Sequence, residues 1–187
     1  MSEKEEVLLK IANLLNESEV FWGVGASLLL VFHGIVHHYN DIDLIVAERD
    51  IEKADEILSS LGRKKVREPT ETYATGYFYE YVIDGVEIDV MCNFKICRED
   101  ITYLYDFDCD YELEFVRVKD IDIALTRIED WYLLYMLMPN REKRIAQIER
   151  YFEEEGIVSK ECFKEIIKPG LPKDIKARVE KRILSLS

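Results

Sequence analysis

The chain of 187 residues lacks a long apolar run: the longest, around residues 26–32, falls far short of the ~18 residues that a membrane span requires. Its first residues, MSEKEEVLLK, are acidic and helical in pattern, with no basic segment leading into an apolar stretch, so no signal peptide is expected and a cytoplasmic location is. Excess positive charge is also missing. The net charge of −13 argues against broad nucleic-acid binding, which depends on Lys and Arg neutralising phosphates. It leaves room for an acidic ligand held through metal ions, because a bound cation inverts the local charge logic. The four cysteines, Cys92, Cys97, Cys109 and Cys162, form no C-x-x-C pair, so a zinc site is disfavoured and reduced, packed thiols are expected. Glutamine is reduced to Gln147 beside abundant Glu, Lys and Ile, a composition that leans towards heat-stable proteins. Repeats, low-complexity segments and Pro/Gly-rich linkers are absent.

What is present is a full apolar complement, 48% of residues, enough for a real core and against disorder. Val7, Leu8, Ile11, Leu14 and Leu15 recur at helical spacing over residues 3–16. Residues 19–24 read as a short strand, broken by Gly23 and Gly25 before a helix that starts near Ser27. Residues 42–47 read as a buried strand and 50–61 as a helix. YFYEYVI, Asp84-Gly85 and VEIDVMC form a strong hairpin signal. Residues 111–118 look like another strand. From about residue 123 the pattern is helical, over 127–138, 141–155, 159–167 and 172–185, punctuated by Pro139, Pro169-Gly170 and Pro172. The expected class is α+β, a mixed sheet flanked by helices with a C-terminal helical tail.

The informative stretch is residues 23–46, GVGASLLLVFHGIVHHYNDIDLIV. Residues two apart in a strand share a face, so Asp41 and Asp43 point together while Ile42, Leu44 and Val46 enter a core. Paired carboxylates beside an apolar strand stay ionised only with positive charge between them, and a hard divalent cation supplies it. In GVEIDVM, Asp89 stands between Ile88 and Val90, where an acid needs a reason, and Glu87 shares its face. The glycine turn at Gly23 and Gly25 would let backbone N–H groups approach a ligand, and the following helix start would add partial positive charge for phosphate. Other D-x-D pairs are weaker signals. The run from Asp106 fails as a calcium loop, having Tyr111 at the sixth position and Arg117 at the twelfth, and reads as a solvated acidic loop. Asp120 and Asp122 read as caps or first-turn acids of a helix. Tyr73, Tyr77, Tyr79 and Tyr81 alternate as sheet surface and core, with an aromatic wall for an acceptor as the alternative, His33 reads as a packing residue, and Arg141, Lys143 and Arg144 as a solvated helix start, with a phosphate clamp as the alternative.

The segments GAS–LLLVFHG–DIDLIV and VEIDVM resemble the polymerase-beta-like nucleotidyltransferase superfamily. The small bacterial and archaeal branch with the aminoglycoside and lincosamide nucleotidyltransferases and AbiEii-type proteins is the nearest in flavour. The resemblance spans roughly residues 18–152. It implies a nucleotidyltransferase core over residues 1–122 and a helical extension over 123–187, packed as one unit. It further implies an Mg²⁺-dependent enzyme, with two ions held by Asp41, Asp43 and Asp89. The donor would be a nucleoside triphosphate, ATP first, and the acceptor a hydroxyl on a small molecule or protein. Phosphate contacts would come from Gly25, Ala26, Ser27 and His37. Oligomerisation is left open. This chain departs from the family pattern in several places. Ala26-Ser27 occupies the usual Gly-Gly or Gly-Ser, His37 stands for a basic residue, Tyr135 for a Lys, and Arg144 for an Asp. Those changes keep a second reading alive, a non-catalytic nucleotide-binding or toxin–antitoxin-type protein on the same fold. A metal-dependent phosphohydrolase is a third.

Overall fold

The computed structural model describes residues 2–98, 100–155 and 159–185. Helix α1 (Glu3–Glu17) starts at Ser2, whose hydroxyl accepts from the Glu5 amide, and its acidic first turn complements the helix dipole. Strand β1 (Trp22–Val24) leads through Gly25 into α2 (Ala26–Phe32), and β2 (Ile42–Val46) follows. Helix α3 (Ile51–Leu61) precedes β3 (Arg63–Val66) and the hairpin of β4 (Tyr77–Ile83) and β5 (Val86–Cys92). A small hairpin, β6 (Lys95–Arg98) and β7 (Ile101–Leu104), comes before β8 (Glu114–Val118) and β9 (Ile121–Leu125). Four helices end the chain: α4 (Ile128–Leu137), α5 (Glu142–Glu155), α6 (Lys160–Ile166) and α7 (Lys173–Ser185).

Seven strands form one mixed sheet in the order β3-β4-β5-β2-β1-β9-β8, while β6 and β7 pair apart from it. The contacts β2–β5 and β1–β9 are parallel and the others antiparallel. One face is covered by α1 and α3. Trp22 donates to Asn16 of α1 at 3.0 Å, and the Tyr81 hydroxyl donates to Asp55 of α3 at 2.6 Å. The even positions of β2, Ile42, Leu44 and Val46, are fully buried, as the alternation predicts. The other face carries the acids and is bounded by α2 and α4. Helix α4 (IEDWYLLYML) is buried along its whole length, Glu129 and Asp130 included.

Four strands were not foreseen: 63–66, 95–98, 101–104 and 121–125. The reading of Asp120 and Asp122 as helix caps is corrected. Lys119 and Asp120 both have positive φ, 48° and 66°, and make the tight turn between β8 and β9, while Asp122 lies in β9 and accepts from Arg117 at 3.0 and 3.1 Å. This turn uses Lys-Asp rather than a glycine, so its signal is weak in sequence. The helical tail accordingly starts at 128, one strand later than the pattern suggests.

Candidate active site

Parallel pairing of β2 and β5 sets Asp43 directly beside Asp89. Because β5 also pairs with β4, Glu80 lies opposite Asp89, and β3 adds Lys65 opposite Glu80. Cross-strand partners share a face, so one charged row runs Lys65–Glu80–Asp89–Asp43 over four strands. Asp41, two residues before Asp43, closes the group. Carboxylate oxygens of Asp41, Asp43 and Asp89 lie within 4.8 Å of one another. Burial first, then the charges of Asp41 and Asp89, hold the Asp43 carboxyl well above the usual carboxylate range, and Arg141 pulls it back. Burial, Asp41 and Glu80 push Asp89 up to about 6, against Arg67. Three hard oxygen donors that repel each other in a half-buried site have the chemistry of a divalent-cation site.

The acids floor a cavity of about 450 Å³. One end is lined by Ala26, Ser27, His38, Asn40 and Asp41. The other end has Tyr73, Phe78, Met91, Phe94 and Arg67, and Tyr135, Met138, Arg141 and Arg144 of the α4–α5 corner form the roof. Burial, with the Asp43 charge next, raises the Tyr135 hydroxyl pKa above its ordinary value. A second cavity of about 490 Å³ lies on the far side of the same corner, lined by Arg98, Met136, Leu137, Pro139 and Glu142 among others, and Met138 borders both.

Ala26 and Ser27, expected at the phosphate turn, do line the cleft, whereas Gly25 does not. The Gly25 amide donates to the Asp43 carbonyl at 2.9 Å and is therefore committed to the sheet. Its backbone is extended, φ −125°, so conformation does not demand glycine there. Close packing does: a Cβ would stand 2.2 Å from Cζ2 of Trp131. The Trp131 indole N–H in turn donates to Thr126 at 2.8 Å, and the Thr126 hydroxyl donates to the Val24 carbonyl at 2.7 Å. Gly23 is explained the same way, since a Cβ would press on Thr126 and Leu113 at 3.0 and 3.1 Å. Gly25 thus seats α4 against the sheet, and Gly23 makes room for Thr126 and Leu113, rather than opening the backbone to a ligand. Ala26 itself holds φ 45°, a left-handed conformation that favours glycine.

His37 does not line the cleft; its neighbour His38 does, with the two rings 6.4 Å apart. His33 caps α2 and packs on Tyr151 with ring centroids 5.6 Å apart. Glu87, near the start of β5 and opposite Val82, is exposed and is not a lining residue. Arg67, Phe78, Phe94 and Trp131 line the site without having been singled out for it, while Arg141 and Arg144, read as a solvated helix start, and Tyr73, read as sheet surface or core, are found on the cleft instead. Alternation could flag Phe78 as a strand-side aromatic, but only the pairing of β4 with β5 brings it to the Asp89 face, and Tyr73 is placed by its bridge to Ile96 of β6.

No family model and no curated protein sequence matches the chain. Solved structures do. The candidate nucleotidyltransferase TM1012 of Thermotoga maritima is 27% identical, with 82% of this chain and 96% of that one covered and a TM-score of 0.62. ANT(2")-Ia, solved in complex with adenylyl-2"-tobramycin, is 13% identical over 97% of this chain and 99% of its own, with a TM-score of 0.57. The lincosamide antibiotic adenylyltransferase LnuA, lincomycin-bound, is 18% identical over 81% and 98%, with a TM-score of 0.51. The chain thus has the nucleotidyltransferase fold and resembles the polymerase-beta-like superfamily.

Proposed function

We propose that this protein is an Mg²⁺-dependent nucleotidyltransferase that moves a nucleoside monophosphate from a triphosphate, ATP first, to a hydroxyl of a small molecule or protein. The observation that carries the reading is the convergence of Asp41, Asp43 and Asp89 in one cleft. Asp41 and Asp43 would hold metal and triphosphate, and Asp89 would serve the acceptor side. Bound Mg²⁺ would supply Lewis-acid stabilisation of charge developing on the phosphoryl oxygens. The chain's own contribution is positioning. Arg141 and Arg144 on the roof oppose the acids and would grip phosphate, Ala26 and Ser27 offer first-turn amides of α2, and the aromatic walls keep water out.

Two arginines at the roof and Arg67 at the wall return the positive charge that the altered His37 and Tyr135 positions lack. The left-handed Ala26 and the committed Gly25 amide are what favour the rival reading, a nucleotide-binding protein without transfer activity.

The test is thermal melting of wild type and Asp43→Ala with ATP, GTP, CTP and UTP, each with and without Mg²⁺. A ligand at a hundredfold excess over its Kd stabilises by about 2.7 kcal/mol. Stabilisation that needs Mg²⁺ and disappears in Asp43→Ala supports the metal–nucleotide site and names the donor. Absence of any shift with all four nucleotides sinks both the enzyme and the nucleotide-binding reading.

A further inference from the structure

The two ends of the cleft differ in chemistry. The α2 end presents a helix start, a serine hydroxyl and polar loop residues. The cleft also presents aromatic rings: Tyr73 and the buried Phe94 lie nearly parallel, 11° apart with centroids at 6.4 Å, and Phe78 adds a third ring on the Asp89 face of the sheet. Above Phe78 stands the Arg67 guanidinium, 4.9 Å from the ring centroid. Arg67 is held at its amide, which donates to the Phe78 carbonyl at 2.8 Å, yet its side chain is 45% exposed. Its ion pair is a single long contact to Glu80 at 3.4 Å, and Glu80 also faces Lys65 at 3.2 Å. A guanidinium with one long contact keeps N–H donors for a ligand.

Resting on the nucleotidyl-transfer reading, we propose that this aromatic end is the acceptor subsite, and that it takes a hydroxyl-bearing acceptor with a flat aromatic body and an anionic group. Asp89 lies on the strand paired with that of Phe78, so a molecule stacked on the wall has its hydroxyl beside the acid that serves the acceptor. Charge sets the class. Among the described residues lining the cleft the carboxylates are Asp41, Asp43 and Asp89, all committed to metal in the transfer reading, while Arg67, Arg141 and Arg144 are cationic. An ammonium-rich acceptor would meet arginines and no spare carboxylate. A carboxylate-bearing ring meets the Arg67 fork and an aromatic face together.

The experiment measures binding by calorimetry and ligand-observed NMR, with saturating Mg²⁺ and without nucleotide. The probes are 4-hydroxyphenylacetate, its cationic counterpart tyramine, and tobramycin as a polycation. 4-Hydroxyphenylacetate is expected to bind at least about tenfold more tightly than tyramine. Arg67→Gln should cost its affinity about fivefold or more and leave tyramine unchanged, and Phe78→Leu should weaken both. Arg67 is a surface residue, and an unchanged melting temperature verifies that its variant folds. The proposal is overturned by tyramine or tobramycin binding as tightly, by indifference to Arg67→Gln, or by no saturable binding up to about 10 mM. Displacement of the probe by adenosine would overturn it too, assigning the wall to the nucleobase. Since no nucleotide is present, the two readings fail separately. Mg²⁺–ATP stabilisation without probe binding sinks the subsite alone, and probe binding without nucleotide stabilisation sinks transfer alone.

Discussion

Asp43 sits between two other carboxylates, and its charge is a liability until a cation arrives. Burial and like charges raise the carboxyl pKa of Asp43 and Asp89, so the folded, metal-free site keeps protons that the unfolded chain releases. For Asp89 the window runs from the ordinary 3.8 to about 6. Raising pH through it costs stability, because the folded state binds more protons there. Melting of the metal-free protein should therefore fall between these pH values, Asp89→Asn should flatten the fall, and saturating Mg²⁺ should remove it. At neutral pH, Asp43→Asn should stabilise the metal-free protein on the order of 1–3 kcal/mol, the size of like-charge repulsion at a few ångströms in a half-buried site. The same variant should lose transfer activity by about a thousandfold or more. A destabilised Asp43→Asn would show that the acids are held by something other than an absent cation.

At the scale of elements, α4 is the piece on which the cleft depends, and Gly25 is the point where it meets the sheet. Gly25→Ala would force Trp131 to move, at a cost of about 1–3 kcal/mol in urea denaturation. Adding Trp131→Leu should recover part of that loss, a non-additivity that a double-mutant cycle reads directly. How far these elements were legible follows from where their information lies. The hairpin of β4 and β5 announces itself through Asp84-Gly85 and clean alternation, and β2 through an apolar run broken by two acids. The β8–β9 hairpin does not, because Lys119-Asp120 reaches positive φ without glycine. Strand β3 reads RKKV, mostly exposed, and owes its place to pairing with β4 rather than to burial. The three acids could be chosen from local context alone. Arg67, Phe78 and Arg144 could not, because what makes them neighbours of the acids is tertiary: strand order for the first two, the α4–α5 corner for the third. Gly25 was legible as special but for the wrong reason, since its requirement is the proximity of Trp131, more than a hundred residues away in sequence.

For the whole molecule, a net charge of −13 and a cleft whose cations already face its own acids leave no surplus positive surface in the site for a polyanion. A fluorescent RNA the length of a tRNA should show no saturable anisotropy change at about 0.15 M salt, where nonspecific phosphate contacts are screened. Tight RNA binding there would overturn the assignment of a small-molecule or protein acceptor. The molecule also divides its labour along the chain. The acids stand on sheet strands laid down by residue 92, whereas the roof comes from residues 135–144 at the α4–α5 corner. That corner gives Tyr135, Arg141 and Arg144 to one cavity, Met136, Leu137 and Glu142 to the other, and Met138 to both. It is in effect a party wall: a change of side-chain size at Met138 should reshape both cavities at once, so neither can be remodelled there without the other.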